Sequence, residues 1–153
     1  LNLLSETPDW HARISSPAVV TPHAGEMRRL TGTHARPQGA ERIEQARRAA
    51  REWNKVVVLK GAYTVVASPD GKAMVSPFAN PALATAGTGD VLAGIIGAFL
   101  ARGAEPFDSA PAAAHVHGRR CSLLPPTGVV AGDLSSVLVE VLVGLGVDAG
   151  GRA

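Results

Sequence analysis

The chain has 153 residues, 46% hydrophobic and 18% charged, with a formal net charge of +2. That is the length of one domain with enough apolar content for a core, which excludes a disordered chain. The charge is too small, and the basic residues too scattered and too free of interleaved aromatics, for a nucleic-acid-binding face. An apolar run of about 11 residues also falls short of the ~20 that a membrane helix needs.

Residues 1–6 read as the end of a short helix, followed by a loop containing Pro8 and Pro17. Residues 18–21 form a short apolar strand of the buried, parallel type. Pro22 stops it, so His23 falls at the strand's carboxyl end, the edge where ligands collect in open α/β sheets. A helix over 25–30 ends at Gly32, with Glu26 in its first turn where the dipole favours an acid. By position alone, His23 reads equally as a loop histidine bonded to a neighbouring carbonyl. Residues 39–53 are the clearest amphipathic helix: Ala40, Ile43, Ala46, Ala50 and Trp53 recur on one face, and Glu41, Arg42, Glu44, Arg47, Arg48 and Arg51 face water. The strand 56–59 is buried on both faces and broken by Gly61. Residues 64–68 and 72–75 then pair as a hairpin across Pro69-Asp70-Gly71. This pattern indicates α/β architecture with an antiparallel edge.

The stretch 80–102 organises the rest. Asn80-Pro81 opens a small-residue loop, and from Val91 to Ala101 no residue is charged. This predicts a helix buried on every face, its glycines Gly94 and Gly97 packed against neighbouring backbone. The helix begins at Gly87-Thr88-Gly89-Asp90, where unpartnered amides and the dipole favour an anion. Asp90 is a good first-turn residue on any account. Beside an anion hole, its carboxylate can also take a proton from a substrate hydroxyl. Lys60, at a strand end beside a glycine, reads by position as an exposed loop lysine. Another helix runs from Glu105-Pro106-Phe107 to Arg120. His115 and His117, two apart on it, cannot chelate one metal together and read as structural. A loop at Pro125–Gly128, a final apolar helix over 138–145 and a tail over 146–153 complete the chain. The lone Cys121 excludes an internal disulfide and reads as a small core residue, as suits a reducing compartment.

Three ordered segments resemble the carboxy-terminal, ribokinase-like domain of ADP- or ATP-dependent NAD(P)H-hydrate dehydratases. They are Thr21-Pro22-His23-Ala24-Gly25-Glu26, Val58-Leu59-Lys60-Gly61-Ala62-Tyr63-Thr64, and Asn80-Pro81 through Gly87-Thr88-Gly89-Asp90-Val91-Leu92-Ala93-Gly94. The resemblance implies a three-layer ribokinase-like α/β fold with a central, mostly parallel sheet flanked by helices. Residues 1–145 would be the carboxy-terminal part of that domain. A long amino-terminal half, with strands of the sheet and part of the cleft, would be missing. The start at Leu1, without an initiator Met and with helical character, agrees with such a boundary.

By the same resemblance, Lys60, Gly61, Ala62, Tyr63 and Thr64 with Gly87, Thr88 and Gly89 hold an adenine nucleotide. His23, Asn80 and Asp90 meet the hydrated nicotinamide, with Asp90 as catalytic base. No protein-borne metal site is expected: Mg²⁺ accompanies ADP or ATP as co-substrate. Where this chain has Tyr63, Ala82 and Ala86 the family usually has glycine, and the Tyr63 ring would intrude on the nucleotide loop. The implied activity is dehydration of the (S)-hydrate of NADH or NADPH, in the cytoplasm. A homo-oligomer is implied for the full-length protein, and an NAD(P)H-hydrate epimerase domain or partner. Two other readings stand beside it: a vitamin-precursor kinase of the same fold, acting on a hydroxymethylpyrimidine or hydroxyethylthiazole, and a non-catalytic nucleotide-binding piece.

Overall fold

In the computed structural model, which describes residues 1–125, 128 and 130–136, a central strand carries both halves of the core. All four side chains of that strand, Val56–Leu59, are buried, because alternate residues go to opposite faces and helices cover each one. Val57 and Leu59 meet Met27, Ala46, Ala50 and Trp53 on one side, while Val56 and Val58 meet Leu92, Ile96, Ala110 and Ala113 on the other. The strands in chain order are β1 (Val19–Val20), β2 (Val56–Leu59), β3 (Val65–Ala67) and β4 (Ala73–Val75), and they lie side by side in that order. β1 pairs parallel with β2, setting Val19 opposite Val56, and β3 and β4 form the expected antiparallel hairpin. Among the described residues the parallel part of the sheet is this one pair.

The helices are α1 (Asn2–Ser5), α2 (Trp10–Arg13), α3 (Ala24–Thr31), α4 (Ala40–Trp53), α5 (Thr88–Ala101), α6 (Pro106–Ser122) and α7 (Ala131–Ser136). The side chains of α3 and α4 build one layer, those of α5 and α6 the other. The result is the three-layer arrangement that the family resemblance implies. No helix among the described residues is long and apolar enough to cross a membrane.

Four expectations need correction. The segment read as a loop contains α2, because Trp10 is 5% exposed and its ring packs 5.2 Å from that of Trp53; tertiary packing overrides the local proline signals. Ala40, expected on the buried face of α4, is exposed, and Ala49 is buried in its stead. Arg42 of the same helix does not simply face water, as shown below. Finally, α5 is not buried all round. Leu92, Ile95 and Ile96 point into the core, but Ala93, Gly94, Gly97, Ala98 and Ala101 are exposed, and a methyl at Gly94 or Gly97 would meet no atom within 4 Å. Absence of charge marks an apolar helix, whereas here side-chain size marks its inward face. The helix expected over 138–145 and the tail lie outside the described residues.

Candidate active site

The pairing of β1 with β2 continues past Pro22 as a bridge between His23 and Lys60, with the Lys60 amide donating to the Pro22 carbonyl at 2.8 Å. Two strand ends thus place an imidazole and an ammonium side by side. His23 is also the N-cap of α3. Its Nδ1 accepts from the Gly25 and Glu26 amides at 3.0 and 3.1 Å, and Glu26 Oε2 accepts from the His23 amide at 2.8 Å. This is a capping box with histidine in the place usually held by serine or threonine. Because Nδ1 is an acceptor, the ring proton of the neutral imidazole sits on Nε2. The same Glu26 oxygen lies 3.6 Å from His23 Nε2 and 3.7 Å from Lys60 Nζ, so Glu26 joins the two rather than merely opening the helix.

The loop after Lys60 is held from behind. The Arg42 guanidinium donates to the Leu59 and Lys60 carbonyls, each at 3.3 Å, and to that of Ala62 at 2.5 Å. Burial draws the pKa of Arg42 below the ordinary arginine value. Gly61 takes φ +145°, a conformation that favours glycine, and a Cβ there would press on Arg42 Nη2 at 2.9 Å. Thr64 Oγ1 closes the loop on the Gly61 carbonyl at 3.0 Å. Tyr63 takes φ +54°, a conformation that favours glycine, and its amide donates to the Phe78 carbonyl at 2.9 Å. The residue is 55% exposed.

Across from this loop, Gly87 enters α5 at φ +86° with no side-chain cap, and a Cβ there would crowd Ala131 at 3.0 Å. The Thr88 amide points to the Thr85 carbonyl at 3.3 Å and the Asp90 amide to that of Gly87 at 3.1 Å. Thr88 Oγ1 lies 2.8 Å from both the Leu83 and Thr85 carbonyls. The Gly87 and Gly89 amides have no partner among the described residues, which narrows the expected donor set from three to two. Lys60 Nζ lies 3.0 Å from where a Cβ on Gly89 would be, setting an ammonium over the open helix end. The Asp90 carboxylate is exposed and likewise unpartnered among the described residues.

These groups line one cavity of about 780 Å³ that contains every expected site residue except Tyr63. Asn80 stands in it with Oδ1 accepting from the Ala82 amide at 2.9 Å and Nδ2 donating to the Cys121 carbonyl at 2.8 Å, which leaves one N–H and one lone pair. No group of three His, Cys, Asp or Glu side chains that could cage a metal occurs among the described residues. With Asp90 the carboxylate of the lining, the donor set fits an Mg²⁺ that arrives on phosphate oxygens.

His117, read from sequence as structural, also lines the cavity. It is 7% exposed and its Nε2 has no partner among the described residues. Burial pushes its pKa down, the Thr88 backbone opposes that, and the nearby Lys60 charge lowers it further. His115 points outward, its ring 5.2 Å from Phe78. The spacing tells that the two histidines diverge, but not which of them turns inward.

The family model described as NAD(P)H-hydrate dehydratase matches residues 1–142. The bifunctional NAD(P)H-hydrate repair enzyme of Moorella thermoacetica is 45% identical over 130 residues, covering 82% of this chain and 24% of that protein. The ADP-dependent (S)-NAD(P)H-hydrate dehydratase of Neisseria meningitidis serogroup B is 41% identical over 138 residues, 88% of this chain and 47% of the relative. A crystal structure of the ADP/ATP-dependent NAD(P)H-hydrate dehydratase from Bacillus subtilis, co-crystallised with ATP/Mg²⁺, superposes with a TM-score of 0.78 at 36% identity, over 84% of this chain and 48% of that one. The chain therefore spans from about a quarter to about half the length of these relatives. Its fold is the ribokinase-like one.

Proposed function

The chain belongs to the NAD(P)H-hydrate dehydratase family, and from that premise we propose that its cavity serves an ADP- or ATP-dependent dehydration of the (S)-hydrates of NADH and NADPH. Hydroxide is a poor leaving group, so the hydrate hydroxyl first attacks the terminal phosphoryl of the nucleotide. Asp90 takes the hydroxyl proton as that oxygen–phosphorus bond forms, and AMP or ADP departs with the bridging oxygen. The carbon–oxygen bond to the new phosphate then breaks, a proton leaves the adjacent carbon, and the dihydronicotinamide returns. The Gly87 and Gly89 amides and the Lys60 ammonium hold the phosphoryl oxygens where negative charge gathers. Mg²⁺, when bound with the nucleotide, supplies neutralisation of that charge. The clamped Lys60–Thr64 loop seats the nucleotide, while His23, through Nε2–H, and Asn80 meet the hydrated ring.

One observation carries the proposal: the Lys60 ammonium and two unpartnered amides converge on the start of α5 beside an unpartnered carboxylate. The same reading takes in a cytoplasmic location, an epimerase domain or partner, and a homo-oligomer. The bifunctional name of the Moorella relative supports the second. The test supplies the hydrate and ADP to the full-length protein. NADH absorbance is expected to return as AMP and inorganic phosphate appear in equal amounts. Accumulation of a stable phosphate ester without NADH would move the protein to the kinases.

A further inference from the structure

A second cavity, of about 370 Å³, lies on the side from which Arg42 holds the Lys60–Thr64 loop, and the reaction as described leaves it unused. Arg28 of α3, Arg36 and Gln38 of the connection to α4, and Arg42 and Gln45 of α4 line it, with Leu59 at the end of β2. Among the described residues that line it there is no Asp or Glu. The side chains of Arg28, Arg36, Gln38 and Gln45 have no hydrogen-bond or ion-pair partner among the described residues. The acids in the first turns of α3 and α4 are engaged elsewhere: Glu26 with His23 and Lys60, and Glu41 with the Gln38 backbone amide at 3.3 Å. We propose that Arg28, Arg36 and Arg42 form a second anion site, which takes a phosphate-bearing small molecule.

Three like charges drawn to one cavity repel one another, and an anion between them turns that repulsion into attraction. Arg28 and Arg42 are half-buried, so solvent and salt screen them less than free surface charges. A phosphate group, with a charge of about −2 and three acceptor oxygens, answers three guanidinium groups better than a carboxylate with a single charge. The two glutamine amides add neutral N–H donors. Arg42 has a donor to spare. Three of the five N–H groups of a guanidinium go to the carbonyls of Leu59, Lys60 and Ala62, and Nε is neither bonded nor sealed from solvent. An anion on Nε therefore leaves the clamp on the loop intact. The site touches the structure that seats the nucleotide without sharing its ligand.

The probe is inorganic phosphate, titrated into the full-length protein at constant ionic strength and followed by the arginine Nε–H NMR signals. The Arg28 and Arg42 signals are expected to move together and to saturate, with a Kd of about 1 mM or tighter. Arg28→Gln/Arg36→Gln leaves Arg42 in its clamp and is expected to weaken phosphate at least about tenfold, as read at Arg42 Nε. Lys60→Met removes the ammonium of the main cavity and should leave the Arg42 response as it is. An Arg42 shift that fails to saturate, or that is undiminished in Arg28→Gln/Arg36→Gln, overturns the site and reports general screening of surface charge. A shift lost in Lys60→Met overturns it too, by placing the phosphate in the main cavity. The readout uses neither ADP nor the hydrate, so its failure is separate from a failure of the nucleotide reading.

Discussion

The two walls of the cavity are built on opposite plans. At the ends of β1 and β2, His23, Glu26 and Lys60 are tied to one another by a capping box, a strand bridge and two close charge contacts, and Arg42 fixes the loop that follows. At the start of α5 the chain offers no cap, leaves two amides unmatched and exposes a carboxylate. One wall satisfies itself and so presents a fixed charge pattern. The other is completed only when something anionic arrives. Positioning groups belong on the first plan, where fixed rotamers cost nothing further on binding, and reacting groups on the second.

Changes to the open wall should be felt in turnover. Asp90→Asn keeps the shape and removes the base, and is expected to lower kcat by about 10³ with ADP binding retained; a variant with full activity would remove Asp90 from the chemistry. Changes to the closed wall should be felt in binding. Lys60→Met should weaken ADP roughly 10- to 100-fold, the loss of a charged hydrogen bond to phosphate, as read by calorimetric titration. Arg42→Ala frees three carbonyls without touching the nucleotide. It should raise the KM for nucleotide several-fold at nearly constant kcat and lower Tm by a few degrees. Equal falls in kcat and kcat/KM would place Arg42 in the reaction rather than behind it. Glu26→Ala removes one side of the capping box, at a cost of about 1 kcal/mol in thermal unfolding.

The smallest effect is a pH dependence of stability from His117. Its folded pKa is lowered from the ordinary 6.5, so below that pH the unfolded chain takes up a proton that the folded one refuses. Its contribution is present above 6.5 and is lost as the pH falls toward the lowered folded value. Melting curves across this range should flatten in His117→Asn.

The elements that carry these groups were legible where local chemistry decides them. Uninterrupted Val56–Leu59 marks a strand covered on both faces, and the alternation of Ala46, Ala50 and Trp53 with charged residues marks α4. Gly87 through Asp90 announces an uncapped helix start. What stayed hidden depends on three-dimensional neighbours. Arg42 lies on the polar side of an amphipathic pattern, yet a strand end passes close enough to use its guanidinium. His117 differs from His115 only in which layer it faces. The small residues of α5 read as close packing, and in the fold they form its open face. Tyr63 looked like an obstruction in the nucleotide loop. Its backbone conformation, which glycine adopts without strain, instead turns the ring out of the cavity.

The open wall can be watched residue by residue in amide NMR spectra of the full-length protein as ADP and Mg²⁺ are added. The Gly87 and Gly89 amide protons should move downfield, with the Thr88 amide, already directed at the Thr85 carbonyl at 3.3 Å, changing least. Gly87 and Gly89 signals that stay in place while the Lys60 loop responds would mean that the nucleotide binds elsewhere and that Asp90 has no phosphoryl group beside it.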